Sequence, residues 1–279
     1  MKKFCLGIAL VGVSIGHAQK LDVNGFIDAL GGSINSDRPG QCLNANTAGT
    51  MAVQVQSGFN YSRFKWDTGT LIEGNSNNIN LPLDVRLGLL PKLELNTSFS
   101  YAHWRYEDPF ISSTAKGFRS PNLGMRYEVL QGDGLKPQLA VQANLSFISH
   151  NGTFQQNNFG SSFYAITSNN FDKFSVNTNL GIVFSGNGNN SPLYTYVLNF
   201  GYSLSDKFGV FVEGFGQFNN FGYSLDAGLS YLINYDLQID AYGGWLGDQN
   251  WFAELGISWR YSFLKAFAKK KMNNFLGND

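Results

Sequence analysis

Residues 78–101 read NINLPLDVRLGLLPKLELNTSFSY. From Ile79 to Leu89 every second residue is apolar: Ile79, Leu81, Leu83, Val85, Leu87 and Leu89. Asn80, Pro82, Asp84, Arg86 and Gly88 stand between them. After Leu90-Pro91-Lys92 the alternation resumes, with Leu93, Leu95, Thr97, Phe99 and Tyr101 set against Glu94, Asn96, Ser98 and Ser100. A period of two is a strand, and two such runs around a tight turn are a hairpin. One face is hydrocarbon and the other carries charge. Either the apolar face covers a protein core, or it meets lipid while the charges line an interior.

The same unit recurs along the chain. Met51, Val53, Val55, Phe59 and Tyr61 alternate with Gln54, Gln56, Gly58 and Asn60, and Leu123, Met125, Tyr127 and Val129 alternate with Gly124, Arg126 and Glu128. The pattern predicts twelve strands, near 50–66, 78–89, 93–106, 119–130, 137–149, 159–169, 174–186, 192–204, 207–218, 221–233, 236–247 and 250–263. Pro82 and Pro121 each remove a ladder donor, so a bulge or strand end is expected there. Short connectors at one end, such as Leu90-Pro91-Lys92 and Asn234-Tyr235, face longer ones at the other, such as 67–77 and 107–118. That asymmetry is the mark of an outer-membrane barrel with its short turns in the periplasm.

Lysine placement decides between core and lipid. Lys92, Lys136, Lys173 and Lys207 fall at short turns, and no lysine falls in a strand middle. Water would solvate lysine on the wet face of a soluble sheet, whereas lysine at mid-bilayer costs about 2–4 kcal/mol. Aromatic residues gather at the strand ends, with Tyr61, Phe64 and Trp66 at one rim and Trp259, Tyr261 and Phe263 at the other, as lipid–water belts require. Charged residues make up only 14% of the chain, which contains 32 Gly, 24 Phe and 13 Tyr. This composition suits a sheet with one greasy face and one weakly charged wet face better than a soluble domain, where about 25% is charged. The fold class expected is therefore all-β, a closed antiparallel transmembrane barrel of about 12 strands. Leu81, Leu83, Val85 and Leu87 face lipid, and closure satisfies every backbone donor.

The chain ends complete the domain plan. Met1-Lys2-Lys3 is basic, Phe4 to Gly16 is apolar, and Gly16 and Ala18 are small, so residues 1–18 read as a cleaved signal peptide. The apolar run is too short for the roughly 20 residues of a spanning helix. The whole chain holds 20 basic and 20 acidic residues, and loss of Lys2 and Lys3 leaves the mature chain slightly acidic. No basic field for nucleic acid remains. Cys42 is the one mature cysteine, which excludes an intrachain disulfide. Residues 19–49 are polar and irregular, either a periplasmic segment or a plug folded into the lumen. Residues 50–263 form the barrel, and 264–279 a basic periplasmic tail containing Lys269-Lys270-Lys271.

Several stretches resemble the outer-membrane transporter family labelled as the meta-pathway of phenol degradation. Ser36-Asp37-Arg38-Pro39-Gly40-Gln41 is similar to the segment that precedes the first strand in that family. Leu81-Pro82-Leu83-Asp84-Val85-Arg86-Leu87-Gly88-Leu89 leading into Leu93-Glu94-Leu95, Gly201 to Lys207, and Gly228 to Leu232 resemble its strand–turn patterns. The resemblance covers about residues 36–263 and implies a barrel that transports small compounds, aromatic ones among them. The tail after Phe263 departs from the family pattern.

Signs of catalysis are sparse. There is no H-E-x-x-H, no cysteine pair for zinc and no Walker loop, so no metal or cofactor is expected. His103 near a rim, beside Trp104 and Tyr106, keeps open a barrel lipid hydrolase, though it reads first as an interfacial aromatic. The function expected is passive passage of small solutes, not an enzyme, with a closed-lumen structural or surface-binding barrel as the other class. Its partners are outer-membrane lipid, small-molecule solutes and the barrel-assembly machinery. The inward parity carries Asp84, Glu94, Glu128, Glu213, Asp226, Asp240 and Glu254 against Arg86, Arg126 and Arg260. Charges of both signs at one depth are expected to pair across the periplasmic half and narrow it. The acid excess above them would favour cations or neutral solutes over anions.

Overall fold

A computed structural model describes residues 32–67, 73–150, 152–187, 191–219 and 222–276. The expected signal peptide, 1–18, lies outside them. Thirteen strand segments follow in order: β1 (Ala52–Asp67), β2 (Glu73–Leu90), β3 (Leu93–Glu107), β4 (Ser112–Phe118), β5 (Asn122–Leu130), β6 (Gln138–Ser146), β7 (Gly160–Phe171), β8 (Phe174–Phe184), β9 (Leu193–Ser203), β10 (Phe208–Gln217), β11 (Gly222–Asn234), β12 (Leu237–Trp245) and β13 (Trp251–Ser262). A helix, α1 (Phe263–Leu276), continues directly from β13.

Every neighbouring pair is antiparallel, and β1 pairs with β13 from Ala52↔Ser262 to Arg63↔Trp251, which closes the ring. β3 pairs with β5 over Leu93–Ser98 and with β4 over Tyr101–Glu107. β4 and β5 are thus one crossing strand interrupted at Arg119, Ser120 and Pro121, and the barrel has twelve strands. Pro121 ends a segment as its missing donor requires. At Pro82 the β1–β2 ladder lapses between Ser57↔Leu83 and Asn60↔Asn80, while the β2–β3 register runs through Pro82↔Ser100 unbroken.

The structure adds length that the sequence pattern did not show. β2 begins at Glu73 rather than Asn78, and Ser112–Phe118, expected within a loop, is a strand. Both additions lie toward the long-loop end, where Asn75, Asn77, Arg105 and Lys116 occupy the outward parity. Above the hydrocarbon the outer face has no need of apolar side chains, so the period-two signal is lost while the ladder continues. With 16 and 18 residues, β1 and β2 exceed the 9–11 that a tilted membrane strand needs. A tall wall of β1 to β4 therefore stands on one side of the barrel.

The burial pattern is inside out. The largest fully buried side chains are Arg86, Arg126, Ile166, Gln54, Gln56 and Glu94, whereas Leu83, Leu123, Phe163, Leu180, Leu198, Leu225 and Ile257 are exposed. A soluble sheet could not leave such a band of hydrocarbon in water; a barrel in lipid requires it. No helix among the described residues is long and apolar enough to cross a membrane. Leu180, 52% exposed at mid-strand in β8, should therefore tolerate arginine poorly. Leu180→Arg is expected to cost about 2–4 kcal/mol of folding stability in lipid vesicles. Asn177→Arg, on the lumen parity of the same strand, should cost far less. Equal losses in a denaturant titration would show the facing to be wrong.

Candidate functional site: a plugged lumen

Residues 32–49 run inside the barrel, and wall side chains hold them all the way round. At the short-turn end, Arg260 donates to the carbonyls of Gly32 (2.6 Å) and Ser33 (3.3 Å) and to Asp236 Oδ1 (2.7 Å). The Asn35 carbonyl accepts from Arg86 Nη1 at 2.6 Å and Gln54 Nε2 at 3.0 Å, and Ser36 Oγ meets Ser258 Oγ at 2.8 Å. Asp37 takes Arg126 in a two-pronged contact, Nη1 to Oδ1 at 2.9 Å and Nη2 to Oδ2 at 2.8 Å, with Arg86 Nε 3.5 Å from Oδ2. The fork of a guanidinium matches a carboxylate in this way.

Arg38 points to the opposite side. Its Nη1 donates to Glu254 Oε1 at 2.5 Å, its Nη2 to Asp240 Oδ1 at 3.0 Å, and its Cζ lies over the Tyr242 ring, 5.7 Å from the ring centre. Gly58 and Gly256 face each other across β1 and β13 and leave a dent for this guanidinium. A Cβ on Gly256 would lie 2.0 Å from Arg38 Nη2, and one on Gly58 2.8 Å from Nη1. Gly256→Val should expel Arg38 and leave Asp240 and Glu254 without their cation. Flickering openings in single-channel recordings, absent from wild type, would report it; a silent Gly256→Val channel would show that Arg38 does not hold the segment.

The rest of the plug is bound through its backbone. Glu213 accepts from the Gln41 and Cys42 amides at 2.5 and 3.1 Å. Asn179 exchanges two bonds with Leu43, and Glu94 Oε2 accepts from the Ala48 amide at 2.6 Å. Arg86 Nη2 donates to the Asn46 carbonyl at 2.9 Å, and Arg126 Nη1 to that of Asn44 at 2.9 Å. Ala45 packs against Ala140 and Ile166, a small apolar foothold on β6 and β7. Gly88 lets the chain leave the lumen, since a Cβ there would lie 1.6 Å from the Gly49 carbonyl oxygen.

Seven of the ten charged residues singled out in the sequence meet at this plug or beside it: Arg86, Glu94, Arg126, Glu213, Asp240, Glu254 and Arg260. Asp84, Glu128 and Asp226 form no ion pair among the described residues. Both Asp226 oxygens are buried without a hydrogen-bond partner, beside Glu213 in the ladder. The arginines do not reach carboxylates across an empty barrel. Arg86 pairs with Glu94 on the adjacent strand at 2.8 Å, while Arg126 is met by Asp37 of the plug and Arg260 by Asp236 of the β11–β12 turn. Sequence reasoning passed over Asp37, Arg38 and Asp236 as lumen charges. Asp37 and Arg38 lie outside any strand, so no parity rule applied to them. Burial works to raise the Asp37 carboxyl, but Arg126 and Arg86 outweigh it and hold the group below the usual carboxylate range.

Above the plug, toward the long connections, lies a vestibule of about 740 Å3. Asp37, Arg38, Gln41 and Leu43 form its floor, and amides and hydroxyls such as Asn60, Asn80, Asn144 and Thr195 its wall. Tyr164 and Tyr242 add aromatic faces, and Asp84 adds a carboxylate. The lining is mostly neutral and polar. His103 is exposed, opposite Ile79 and Lys116 in the ladders, away from this space.

Comparison with known proteins agrees with the fold. An outer membrane channel from Pseudomonas putida F1 superposes with a TM-score of 0.58 at 12% identity, over 80% of this chain and 99% of that one. The KdgM porin matches with a TM-score of 0.50 at 11% identity, over 73% and 98%. The transport unit of the autotransporter AIDA-I from Escherichia coli matches with 0.50 at 12%, over 77% and 91%. At these identities the likeness is one of fold. Curated protein sequences yield no match. The family model described as the MetA-pathway of phenol degradation matches residues 36–261, from the Ser36 that starts the plug's charged segment to the Tyr261 that ends the lipid-facing row of β13. The chain belongs to that family, and it is built as an outer-membrane β-barrel of the channel and porin kind.

Proposed function

We propose that this barrel is a gated passive channel for small neutral solutes, opened when residues 32–49 shift or leave the lumen. The observation that carries the reading is how the plug is held. Side chains make nearly all of its contacts with the wall, and one backbone–backbone bond, from the Ile34 amide to the Tyr235 carbonyl, ties it to a turn among the described residues. It adds no strand to the barrel, so it can move while the wall stays closed. The polar vestibule leads down to it from the long-loop side. The family label concerns phenol degradation, which makes small aromatic compounds the first solutes to test. Short turns in the periplasm and export by a cleaved signal, residues 1–18, complete the reading; a mature N-terminus at Gln19 by mass spectrometry checks the latter.

The test is conductance in planar bilayers with ion-selectivity measurement. Wild type should conduct weakly and prefer cations over anions. Arg86→Gln, Arg126→Gln and Arg260→Gln should each loosen the plug and raise conductance. If all three keep the wild-type conductance and cation preference, the gating reading fails. The completeness of the plug's bonding favours a second reading, a wall that stays shut and serves a structural role. Wild type and all variants remaining silent would favour it.

A further inference from the structure

The C-terminal helix takes no part in the lumen, yet its placement is tightly defined. α1 begins where β13 ends, and the Phe263 amide donates to the Met51 carbonyl at 3.0 Å. Lys265 is buried, donates to Asp236 Oδ2 at 2.8 Å and lies over the Tyr235 ring. The first turn is thereby pinned to the β11–β12 turn at the rim and cannot swing free into solvent. On the outer face, the lipid-facing aromatics of β13 run straight into the helix. Trp259 and Tyr261 lie 6.2 Å apart, and Tyr261 meets Phe263 edge-on at 5.0 Å. Phe263, Leu264 and Phe267 follow, all exposed, Phe267 by 60%.

Among the described residues nothing buries these side chains, and each keeps about half or more of its surface open. The medium that covers Trp259 and Tyr261 is the membrane, and Phe263 continues that interface without a break. Lys269, Lys270 and Lys271 then follow as three exposed cations in a row, and α1 holds no acidic residue to neutralise them. Lys271 reaches back over the Phe267 ring at 5.0 Å, as a lysine does when its stem runs along apolar surface and its head seeks the headgroup layer. A pinned helix with an apolar side continuous with a lipid belt and an unbalanced cationic turn has the chemistry of an interfacial helix on anionic lipid.

We infer that α1 lies along the phospholipid leaflet at the short-turn end, with Phe263, Leu264 and Phe267 among the acyl chains and Lys269–Lys271 bound to anionic phospholipid headgroups. The inference depends on the barrel's lipid facing but not on its conductance. It also does not depend on which end faces the periplasm, because a symmetric bilayer offers the same lipid on both sides.

The experiment uses the folded full-length protein in nanodiscs of phosphatidylcholine alone or mixed with phosphatidylglycerol, with hydrogen–deuterium exchange followed over residues 264–276. A surface charge of this kind is worth roughly fivefold per lysine. Exchange of the helix should therefore slow by about tenfold or more in the anionic discs, and the effect should fade as salt is raised. Lys269→Gln/Lys270→Gln/Lys271→Gln should remove the difference while barrel-strand amides stay as protected as before. Phe267→Ser should speed helix exchange in both lipids. Equal exchange rates in the two lipids, whether fast or slow, would overturn the inference. So would protection that appears only on adding cell-wall fragments or a second protein.

Discussion

Removing residues 20–49 is expected to raise single-channel conductance severalfold and to replace a weak, cation-preferring current with a stable open level. The barrel's size supports this. Eight-stranded barrels are filled by their own side chains and sixteen-stranded ones hold an aqueous channel. A twelve-stranded wall lies between, and here its short-turn half is filled by a separate length of chain. The wall should survive the deletion. Arg86 keeps Glu94, Arg260 keeps Asp236, and Arg126 keeps Gln142 at 2.7 Å. Water entering the vacated space solvates what remains. Bilayer recordings and liposome swelling both check this. A deletion variant that folds, shows barrel circular dichroism and conducts no better than wild type would mean that something other than this segment closes the lumen.

A single substitution within the plug should be harsher on stability than removing it. Asp37→Asn leaves Arg126 without its carboxylate while the rest of the plug still excludes water, and Arg86 loses its second acid. Both arginines are about 1% exposed. Breaking one side of a buried pair costs about 3–5 kcal/mol. The loss has a ceiling, because a plug that detaches lets water reach both arginines. The expected result is a fall in denaturation midpoint together with frequent openings. Unchanged stability with a closed channel would show that Asp37 contributes nothing to the seat.

Much of the wall was legible because lipid imposes a simple rule on outward positions. The alternation of Leu81, Leu83, Val85 and Leu87 with Asp84 and Arg86 suffices to place those residues. Where the wall rises above the lipid the rule lapses, so Glu73–Asn78 and Ser112–Phe118 carry no periodic signal although they are paired strands. The charged lumen positions follow from the same parity. Their partners do not: Asp37 and Arg38 belong to a segment without strand or helix, and only folding reveals that one meets β5 while the other meets β12 and β13. The helix after Phe263 was hidden for a related reason. Its lysines read as a solvated tail, and nothing in the pattern told that Lys265 turns inward to Asp236.

The joint between β1 and β13 unites the two ends of a long chain, and such distant pairing is slow to form. The plug residues just ahead of β1 bond to both sides of that joint: Ser36 to Ser258 and Gln56, Asn35 to Gln54, Arg38 to Glu254. The segment thus spans the seam from within, beside the ladder that the two strands share. A plug that shifts therefore takes its bonds from both edges of the joint, while the β1–β13 ladder itself stays paired.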